Sequence, residues 1–453
     1  MKYTKLILLF LSFTASLYSA QPLFRSTFLG LVPETYDTKN AVVIQRLHPV
    51  GTAEALGLKV GDQLISVNGI QVLDFQALIE ILGSIHEGNA ISVEILRAGK
   101  KVTLASTAQG RPQEKGKGFK VNYDQFEWQK NHLRTITYTP NKPRADNAAV
   151  MYIQGYTCDS IDHGMAPDLT MTQLLASYAA AGFKVFKMEK PGVGDSHGPL
   201  DCLKYDFDTE NQAFQAGLKH FKSKHHLKAE QVFIFGHSLG VLHGAFFAEQ
   251  GLAKGVMGYG GVIKPWHDYL KDIFAKQSVK YFGVSPTQAQ QNTKLVAPFL
   301  HDWIKTNKAW QEVLNTDANK RAQQSELLPL NGDQIFNRHY SFFRSLSQYD
   351  FRAMWANSKS HVLMMHGGFD IQAIESGWQN AIANLVNANN PGKGKGVEFP
   401  NTEHALMRYA DIESLLKAMR EGLHRVDQPG DKYNPDIAKT SLKWMQTILN
   451  LNS

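Results

Sequence analysis

The chain has 453 residues, 43% of them apolar and 20% charged, which is typical of a folded globular protein and excludes a disordered, fibrous or multi-span membrane chain. At roughly 150 residues per domain, this length predicts two or three structural units. The net charge of +7 comes without a long basic tract, and two cysteines are too few for a zinc pattern. We therefore expect no nucleic-acid partner, no metal and no cofactor.

The first twenty residues have the order of charge and hydropathy of a secretory signal peptide. Lys2 and Lys5 precede an apolar run from Leu6 to Phe13, and small and polar residues then lead to Ala20. Because this run is too short to span a bilayer comfortably, we predict that residues 1–20 are removed. The remaining chain would be exported, to the periplasm or the medium, with no stable membrane insertion. Tyr18 is bulky for the third position before a cut after Ala20, which leaves an N-terminal membrane anchor as the alternative.

Residues 28–104 have the pattern of short strands separated by turns, with one helix. Asn68-Gly69 is a strong signal for a tight turn after an alternating strand. Asp74 is a suitable N-cap for a helix whose apolar residues recur at helical spacing. The predicted elements are, in chain order, a strand over Ala41–Ile44, a strand over Leu64–Val67, a helix over Phe75–Leu82, and strands over Ile91–Leu96 and Val102–Ala105.

A linked set of turn and strand motifs occupies Pro49–Leu58, Val60–Ile65 and Val67–Gly69. This set resembles a PDZ domain of the bacterial protease-associated kind, which implies a small mixed β/α domain over residues 21–108. The resemblance maps the family's carboxylate loop onto residues 28–31. There the N–H groups of three residues would hold the C-terminus of a peptide or protein that adds an edge strand; they are Leu29, Gly30 and Leu31. A module that packs on its neighbour and binds nothing is the alternative.

The residues after this module change character twice. Residues 109–121 are polar, rich in glycine and lysine and without periodicity, which predicts a linker. From residue 122 onward, strands alternate with longer helices, which predicts a mostly parallel sheet covered on both faces. The predicted strands are Asp124–Trp128, Leu133–Tyr138, Ala148–Ile153, Lys184–Met188, Gln231–Phe235, Gly255–Gly260, Val362–His366 and Gly396–Phe399. The predicted helices are Leu169–Ala181, Thr209–Lys222, Val241–Glu249, Ile371–Ala383 and Pro435–Leu449.

A G-x-S-x-G string, Gly236–Gly240, lies between a predicted buried strand and a predicted helix. The string alone is common, but a strand-to-helix turn at this point would hold Ser238 in a strained, exposed conformation, with glycines on either side to relieve crowding. The N-terminus of the following helix would place its N–H groups near developing negative charge. The pattern therefore predicts Ser238 as a catalytic nucleophile.

The candidate partners of Ser238 follow later in the chain. Asp370 comes just past an apolar strand, and His404 lies in the loop after the next strand. His404 would accept the serine proton and Asp370 would orient the imidazole. Asp350 is the rival acid. Of the other histidines, His366 at a strand end is expected to have a supporting role.

Four motifs of residues 122–453 resemble those of the α/β-hydrolase superfamily of serine esterases and peptidases. They are Gly236–Gly240, the strand end Gly367–Asp370, the His404 loop, and the glycine-rich turn Glu189–Ser196, in which glutamate stands where the family usually has aspartate. The resemblance implies an α/β-hydrolase fold. This is a mostly parallel eight-stranded sheet with a helical lid insertion at residues 262–357, here preceded by the small mixed β/α PDZ domain.

The same resemblance implies further residue roles. The oxyanion hole would use the N–H groups of Leu239 and Tyr156, although Gln154-Gly155 stands where the family usually has His-Gly. Cys158 and Cys202 follow loops that leave adjacent strands on one edge in the resembled fold, which suggests a disulfide; two unpaired thiols are the alternative. Independently of the resemblance, His237 is expected to point into the scaffold, because it is fixed beside the nucleophile.

Four of the seven tryptophans lie in the insertion: Trp266, Trp303, Trp310 and Trp355. An aromatic lid would suit an apolar acyl group, and rings buried in the core are the alternative. Taken together, these patterns predict an exported serine hydrolase that cleaves carboxylic esters of small molecules, with a PDZ-like domain for peptide or protein binding. The first alternative is a serine peptidase acting on peptides delivered by that domain. The second, of another class, is a non-catalytic periplasmic binding or scaffold protein.

Overall fold

The computed structural model of the chain describes residues 23–35 and 41–451. The predicted signal peptide, residues 1–20, lies outside the described residues. Within the described ranges, no helix combines the length and the apolar character needed to cross a membrane.

The N-terminal unit is built on two small antiparallel sheets and two helices. Its elements are β1 Leu31–Pro33, β2 Ile44–Leu47, α1 Thr52–Leu56, β3 Gln63–Val67, β4 Ile70–Gln71, α2 Phe75–Gly83, β5 Ala90–Arg97 and β6 Lys100–Thr107. One sheet pairs β1 with β2, and the other has the order β4-β3-β5-β6. The predicted N-cap forms, since the Asp74 carboxylate accepts a hydrogen bond of 2.8 Å from the N–H of Ala77. Residues from both sheets and from α2 share one apolar core.

The second unit begins with six strands of a large sheet and the three helices that connect them. They are β7 Phe119–Trp128, β8 Asn131–Pro140, β9 Ala149–Ile153, α3 Thr170–Ala180, β10 Lys184–Met188, α4 Phe207–His225, β11 Val232–His237, α5 Gly240–Gln250 and β12 Gly255–Tyr259. Alternate residues of β9 face opposite sides of the sheet, as a strand requires. Met151 joins the core on one face, and Val150 joins the core on the other.

The insertion predicted after β12 is mostly helical. Its elements are α6 Trp266–Asp272, a π-helical segment Ile273–Gln277, α7 Ser278–Phe282, α8 Pro286–Lys305, α9 Trp310–Asn315, α10 Asp317–Gln324, β13 Leu330–Asn331, β14 Gln334–Ile335, β15 Arg338–His339, α11 Tyr340–Leu346 and α12 Phe351–Ala356. The three short strands form a small sheet of their own in chain order.

The chain then returns to the large sheet. Its remaining elements are β16 His361–Gly367, α13 Trp378–Asn389, β17 Gly394–Phe399, α14 Ile412–Arg420 and α15 Pro435–Asn450. The sheet has the order β7-β8-β10-β9-β11-β12-β16-β17. Only β8 runs against the others, pairing antiparallel with both β7 and β10. Counted 1 to 8 in chain order, the strands lie in the order 1-2-4-3-5-6-7-8, and the predicted α/β-hydrolase fold is confirmed.

Two local predictions differ from the structure. The helix predicted over Ile371–Ala383 begins only at Trp378, because the Asp370 carboxylate draws the next N–H groups into a turn and Ile374 adopts a left-handed φ of +63°. The segment predicted as a linker is partly ordered against the second unit. Strand β7 begins at Phe119, inside that segment, and the buried Glu114 carboxylate pairs with Lys187 at 2.5 Å. The polar composition of residues 109–121 does not predict that the Glu114 carboxylate is buried.

The two units touch through the residues that precede β1. The N–H of Ser26 donates to the Asp195 carboxylate at 2.9 Å. The Phe24 ring lies with its centroid 4.2 Å from that of His197, and Arg134 donates to the Phe24 carbonyl. The N-terminal unit is thus in contact with the glycine-rich turn after β10.

Candidate active site

Ser238 lies on a sharp turn between β11 and α5. Its φ of +56° is in the left-handed region, a conformation that costs a non-glycine residue of order 1–3 kcal/mol and is concentrated at functional sites. The glycines two residues before and after it allow the turn. A Cβ on Gly236 would lie 2.4 Å from the Gly240 carbonyl oxygen, and a Cβ on Gly240 would lie 2.4 Å from that of Ile153. The G-x-S-x-G pattern is therefore required by backbone contacts at this turn.

Asp370 and His404 meet at the carboxyl ends of two neighbouring parallel strands. Asp370 follows β16 and His404 follows β17, so both loops leave the same edge of the sheet. The His404 Nδ1 atom lies 2.8 Å and 2.9 Å from the two carboxylate oxygens of Asp370. Gly367 allows this approach, because a Cβ there would lie 2.3 Å from the Thr402 carbonyl oxygen.

The pairing shifts the pKa of both groups. Burial would raise the pKa of Asp370, but the charge and hydrogen bond of His404 outweigh it, and the pKa lies below its usual value. Burial would lower the pKa of His404, but the charge and hydrogen bond of Asp370 prevail and raise it above its usual value. The carboxylate therefore stabilises a positively charged imidazole.

Ser238 and His404 line the same cavity. The Ser238 hydroxyl has no hydrogen-bond partner among the described residues, so it does not donate to the imidazole in this conformation. It lies against Gly155, where a Cβ would be 3.4 Å from the hydroxyl oxygen. Hydrogen bonds between a nucleophile and its base are often loose in a ligand-free site and tighten with substrate.

Three residues that the sequence reading assigned no part in the site hold the His404 loop. His237 Nε2 lies 2.9 Å from the His404 carbonyl oxygen, to which it donates, and burial lowers the pKa of His237 to about 4. The Tyr259 hydroxyl donates to the Glu403 carbonyl at 2.8 Å. The Glu403 carboxylate accepts from the N–H groups of Ala405 and Met407. His237 thus points toward the His404 loop, a contact between distant segments that no local pattern encodes.

The two predicted oxyanion residues are Leu239, which follows Ser238, and Tyr156, which follows Gly155. The N–H groups of Leu239 and Tyr156 donate to no other group among the described residues, and both residues line the cavity. The Gln154 side chain, at the position where the resembled family usually has histidine, donates to the Asp159 carbonyl at 2.8 Å and so braces the loop.

The cavity has a volume of about 730 Å³. One wall is apolar and comes from the insertion; its residues are Trp266, Tyr269, Leu270, Ile273, Phe336 and Phe343. The Trp266 and Phe343 rings stack with centroids 5.3 Å apart. The other three tryptophans of the insertion are buried in the core, so only Trp266 faces the cavity.

The remaining sequence candidates lie as follows. Asp350 caps α12 by accepting from the N–H groups of Arg352 and Ala353, and so is not the partner of His404. His366 accepts a hydrogen bond of 2.9 Å from the Trp378 indole and supports that ring.

The two cysteines lie in loops beside the cavity. Cys158 and Cys202 are joined by a disulfide with Cα atoms 5.9 Å apart, which links the loops after β9 and β10. In the part of the chain that the structure describes, no group of three or more histidine, cysteine or acidic side chains is arranged to hold a metal ion.

A second groove lies between the loop before β1 and helix α2. Among the described residues, the N–H groups of Leu29 and Gly30 donate to no partner, while Leu31 pairs with Leu47 in the β1-β2 ladder. The adjoining cavity of about 310 Å³ is also lined by Ser160 and Asp195 of the second unit. The predicted carboxylate loop therefore faces a groove with walls from both units.

Residues 29–107 match the family model described as PDZ domain. The N-terminal unit is a PDZ domain. Part of it is 31% identical over 78 residues to "Probable periplasmic serine endoprotease DegP-like" of Marinomonas sp. (strain MWYL1), covering 17% of each chain. It is also 32% identical over 68 residues to "Periplasmic serine endoprotease DegP" of Salmonella typhimurium, covering 15% of this chain and 14% of that protein. The chain thus spans about a sixth of the length of the curated relatives it matches.

Several solved structures match about two thirds of this chain at low sequence identity. Est1E from Butyrivibrio proteoclasticus with ferulic acid bound is 14% identical, with 66% of this chain and 97% of that chain covered and a TM-score of 0.40. Proline iminopeptidase from Mycobacterium smegmatis is 12% identical, with 68% and 99% covered and a TM-score of 0.39. The Pyrococcus furiosus esterase PF2001 is 13% identical, with 69% and 94% covered and a TM-score of 0.40. The fold is identified by the strand order and connections given above.

Proposed function

We propose that this chain is a serine hydrolase that cleaves carboxylic esters through an acyl-enzyme on Ser238. The observation that carries the proposal is the hydrogen-bonded pair of Asp370 and His404 on the same cavity as a serine held at a left-handed φ. A serine in that backbone conformation is unfavourable for folding alone, and a buried carboxylate that orients an imidazole is the arrangement that activates a hydroxyl.

The proposed reaction has two halves, acylation of Ser238 and hydrolysis of the acyl-enzyme, and the same catalytic groups act in both. His404 Nε2 accepts the Ser238 proton as the serine oxygen bonds to the ester carbonyl carbon, and Asp370 stabilises the resulting imidazolium. The carbonyl oxygen, now negative, accepts from the N–H groups of Leu239 and Tyr156. The carbon–oxygen bond to the alcohol then breaks as His404 returns the proton to it. Water repeats the sequence on the acyl-enzyme and releases the acid.

The proposed substrate has an apolar acyl or aromatic group. The insertion supplies six apolar or aromatic residues to one wall of the cavity, and such a wall gains about 25 cal/mol for each Å² of apolar substrate surface it removes from water. The proposed place of action is outside the cytoplasm. Three observations support it: the signal-like order of residues 1–20, the disulfide between Cys158 and Cys202, and the names of the PDZ relatives, which describe those proteins as periplasmic.

A second candidate is a serine peptidase that receives peptides from the PDZ domain. It is favoured by the groove that Ser160 and Asp195 share with the carboxylate loop. Ser160 also lines the large cavity, so one residue of the loop after β9 lines both cavities. We propose that the PDZ domain binds the C-terminus of a peptide or protein there, through the N–H groups of Leu29 and Gly30.

The test is hydrolysis of a series of p-nitrophenyl esters from acetyl to decanoyl, compared with peptide p-nitroanilides, by the wild type and by Ser238→Ala. Ester hydrolysis that the Ser238→Ala variant lacks is the expected result. Faster cleavage of the anilides would support the peptidase. No turnover of either class by the wild type would favour the third possibility, a binding or scaffold protein.

The variant Trp266→Ala tests whether the acyl group of the substrate binds against the apolar wall of the cavity. It is expected to lower kcat/KM for the longer esters by about 10- to 200-fold, the range for a change in one apolar pocket contact, and to leave the acetyl ester nearly unchanged. An equal loss for all esters would place the acyl group elsewhere in the cavity. Trp355→Phe, a conservative change to a ring buried away from the cavity, is the control.

A further inference from the structure

Four ionisable side chains are buried directly behind the loop that follows β9, and the proposed reaction gives none of them a proton to move. Lys190 lies in the glycine-rich turn, Glu210 and His243 lie on α4 and α5, and Arg338 belongs to the insertion. All four are fully buried. Glu210 connects them, with oxygens 3.1 Å from Lys190 Nζ, 2.9 Å from an Arg338 nitrogen and 3.1 Å from His243 Nε2.

The two cations of this cluster donate to three successive carbonyl groups of the loop. Lys190 Nζ lies 2.5 Å from the Gly155 oxygen and 3.0 Å from the Thr157 oxygen. Arg338 donates to the Tyr156 oxygen between them. A lysine and an arginine are costly to bury, so their placement on one short loop calls for an explanation beyond packing.

We infer that Lys190 and Arg338, held by Glu210, are positioning residues for the oxyanion donor Tyr156. In a planar trans peptide the C=O of one residue and the N–H of the next point in opposite directions. Because Lys190 fixes the Gly155 carbonyl on the buried side, the N–H of Tyr156 is directed away from the cluster. That N–H donates to no group among the described residues, and Tyr156 lines the cavity.

The cations also affect the strength of that donor. A carbonyl that accepts a charged hydrogen bond is polarised, and the polarisation passes through the peptide group to its N–H, which becomes a better donor in a site of low dielectric constant. Arg338 places the same constraint on the next peptide unit. Since Arg338 lies on β15 of the insertion, the insertion contributes to this loop as well as to the wall of the cavity.

The cluster holds one carboxylate between two cations. Burial would raise the pKa of Glu210, but Lys190 and Arg338 outweigh burial and hold it far below its usual value. Glu210 therefore stays ionised between the two cations. Phe342 covers the guanidinium of Arg338, whose central carbon lies 3.7 Å from the ring centroid. These contacts fix both cations in one geometry.

This inference rests on the proposed function, and its test compares Lys190→Met with Lys187→Met. Lys187 is a second buried lysine, three residues away, that pairs with Glu114 and donates to the Ile161 carbonyl. Both variants lose a buried cation, so both are expected to unfold at a lower temperature. Only Lys190→Met is expected to lower kcat for the best ester, by about 10- to 100-fold with little change in KM, which is less than removal of an oxyanion donor itself.

A second readout separates positioning from general damage. A trifluoromethyl ketone analogue of the best ester forms a tetrahedral adduct with an active serine, whereas the corresponding unreactive alcohol occupies the cavity without one. In Lys190→Met the inhibition constant of the ketone should rise by the factor by which kcat/KM falls, and that of the alcohol should stay the same. Equal changes for both ligands, or a kcat equal to that of Lys187→Met, would overturn the inference.

Arg338→Lys decides the matter if Lys190→Met does not fold. It retains a cation but cannot reach the Tyr156 carbonyl and Glu210 with the same planar fork, and a smaller loss of kcat with the same ketone signature is expected. Unchanged kinetics in the folded Arg338→Lys protein would overturn the inference. If the wild type neither hydrolyses esters nor binds the ketone more tightly than the alcohol, the proposed function fails instead.

Discussion

The two grooves of this chain present main-chain N–H groups by different means. In the PDZ domain the Leu29 and Gly30 donors lie on a short loop shaped by local turns and by the φ of +79° at Gly30. At the large cavity the Tyr156 donor lies on a loop whose carbonyls are fixed by buried cations from two other parts of the chain. A groove that binds a finished carboxylate needs donors in place. A site that must meet charge formed only during a reaction needs donors that do not move, and this second demand is consistent with the buried cluster.

The largest expected effect is that of Asp370→Asn. It should lower kcat for esters by about 10⁴-fold, because the imidazole loses the group that sets its tautomer and stabilises its charge. Peptide binding at the PDZ groove should be unchanged, which would separate the two sites. Steady-state kinetics on the ester series measures the first, and circular dichroism checks the fold. A loss below tenfold would show that Asp370 does not orient the base.

The pH dependence of the same pair follows from the direction of the His404 pKa. The free enzyme needs a neutral imidazole, so kcat/KM falls as the pH falls through the pKa of His404. Because Asp370 raises that pKa, the acid limb of the wild type should lie above the value of about 6.5 for an ordinary histidine. In Asp370→Asn the limb of the residual activity should move to lower pH, and a limb that stays in place would contradict the pairing.

The next largest expected effect is a loss of stability of the second unit when the disulfide is removed. Replacing Cys158 and Cys202 by alanine opens a loop with a sequence separation of 44, and the chain-entropy estimate for that length is about 4 kcal/mol. Urea unfolding followed by tryptophan fluorescence, which reports mainly on the second unit, measures the change. The wild type in strong reductant is the control and should unfold at the same urea concentration as the variant. Equal stability of oxidised and reduced wild type would contradict this role.

The smallest expected effect concerns the PDZ groove. Gly30→Ala would place a Cβ 2.7 Å from the Val50 carbonyl oxygen at a φ that favours glycine, so the carboxylate loop must shift. Peptides that bind the wild type should be found in an array of C-terminal sequences and should lose at least about tenfold in affinity in the variant, or 1.4 kcal/mol. The same peptides made as C-terminal amides should lose affinity for the wild type. Equal affinities of the wild type for the acid and amide forms of a peptide would exclude a carboxylate loop.

How much could be predicted from the sequence depends on the range of the contacts involved. The turn at Ser238 is encoded by five consecutive residues, because Gly236 and Gly240 prevent clashes that any side chain would cause there. The positions of Asp370 and His404 follow from strand ends in a parallel sheet. The helix after Asp370 was misplaced because its apolar spacing continues through a turn that Asp370 itself closes.

The contacts that could not be predicted join charged residues far apart in the chain. Glu210 and Arg338 are 128 residues apart and read individually as surface charges. Glu114 lies in a segment rich in glycine and lysine, which also indicates an exposed charge, but the structure buries it against Lys187. Hydropathy identifies apolar residues that will be buried, but it has no means to identify the few charges that pair inside the protein.

The most direct test of the central claim is labelling with a fluorophosphonate, followed by mapping of the modified peptide by mass spectrometry. The account predicts one adduct, on the peptide that contains Ser238, which is absent in Ser238→Ala and formed much more slowly in a variant of His404. A folded wild type that stays unlabelled, or that carries its adduct on another serine, would contradict it.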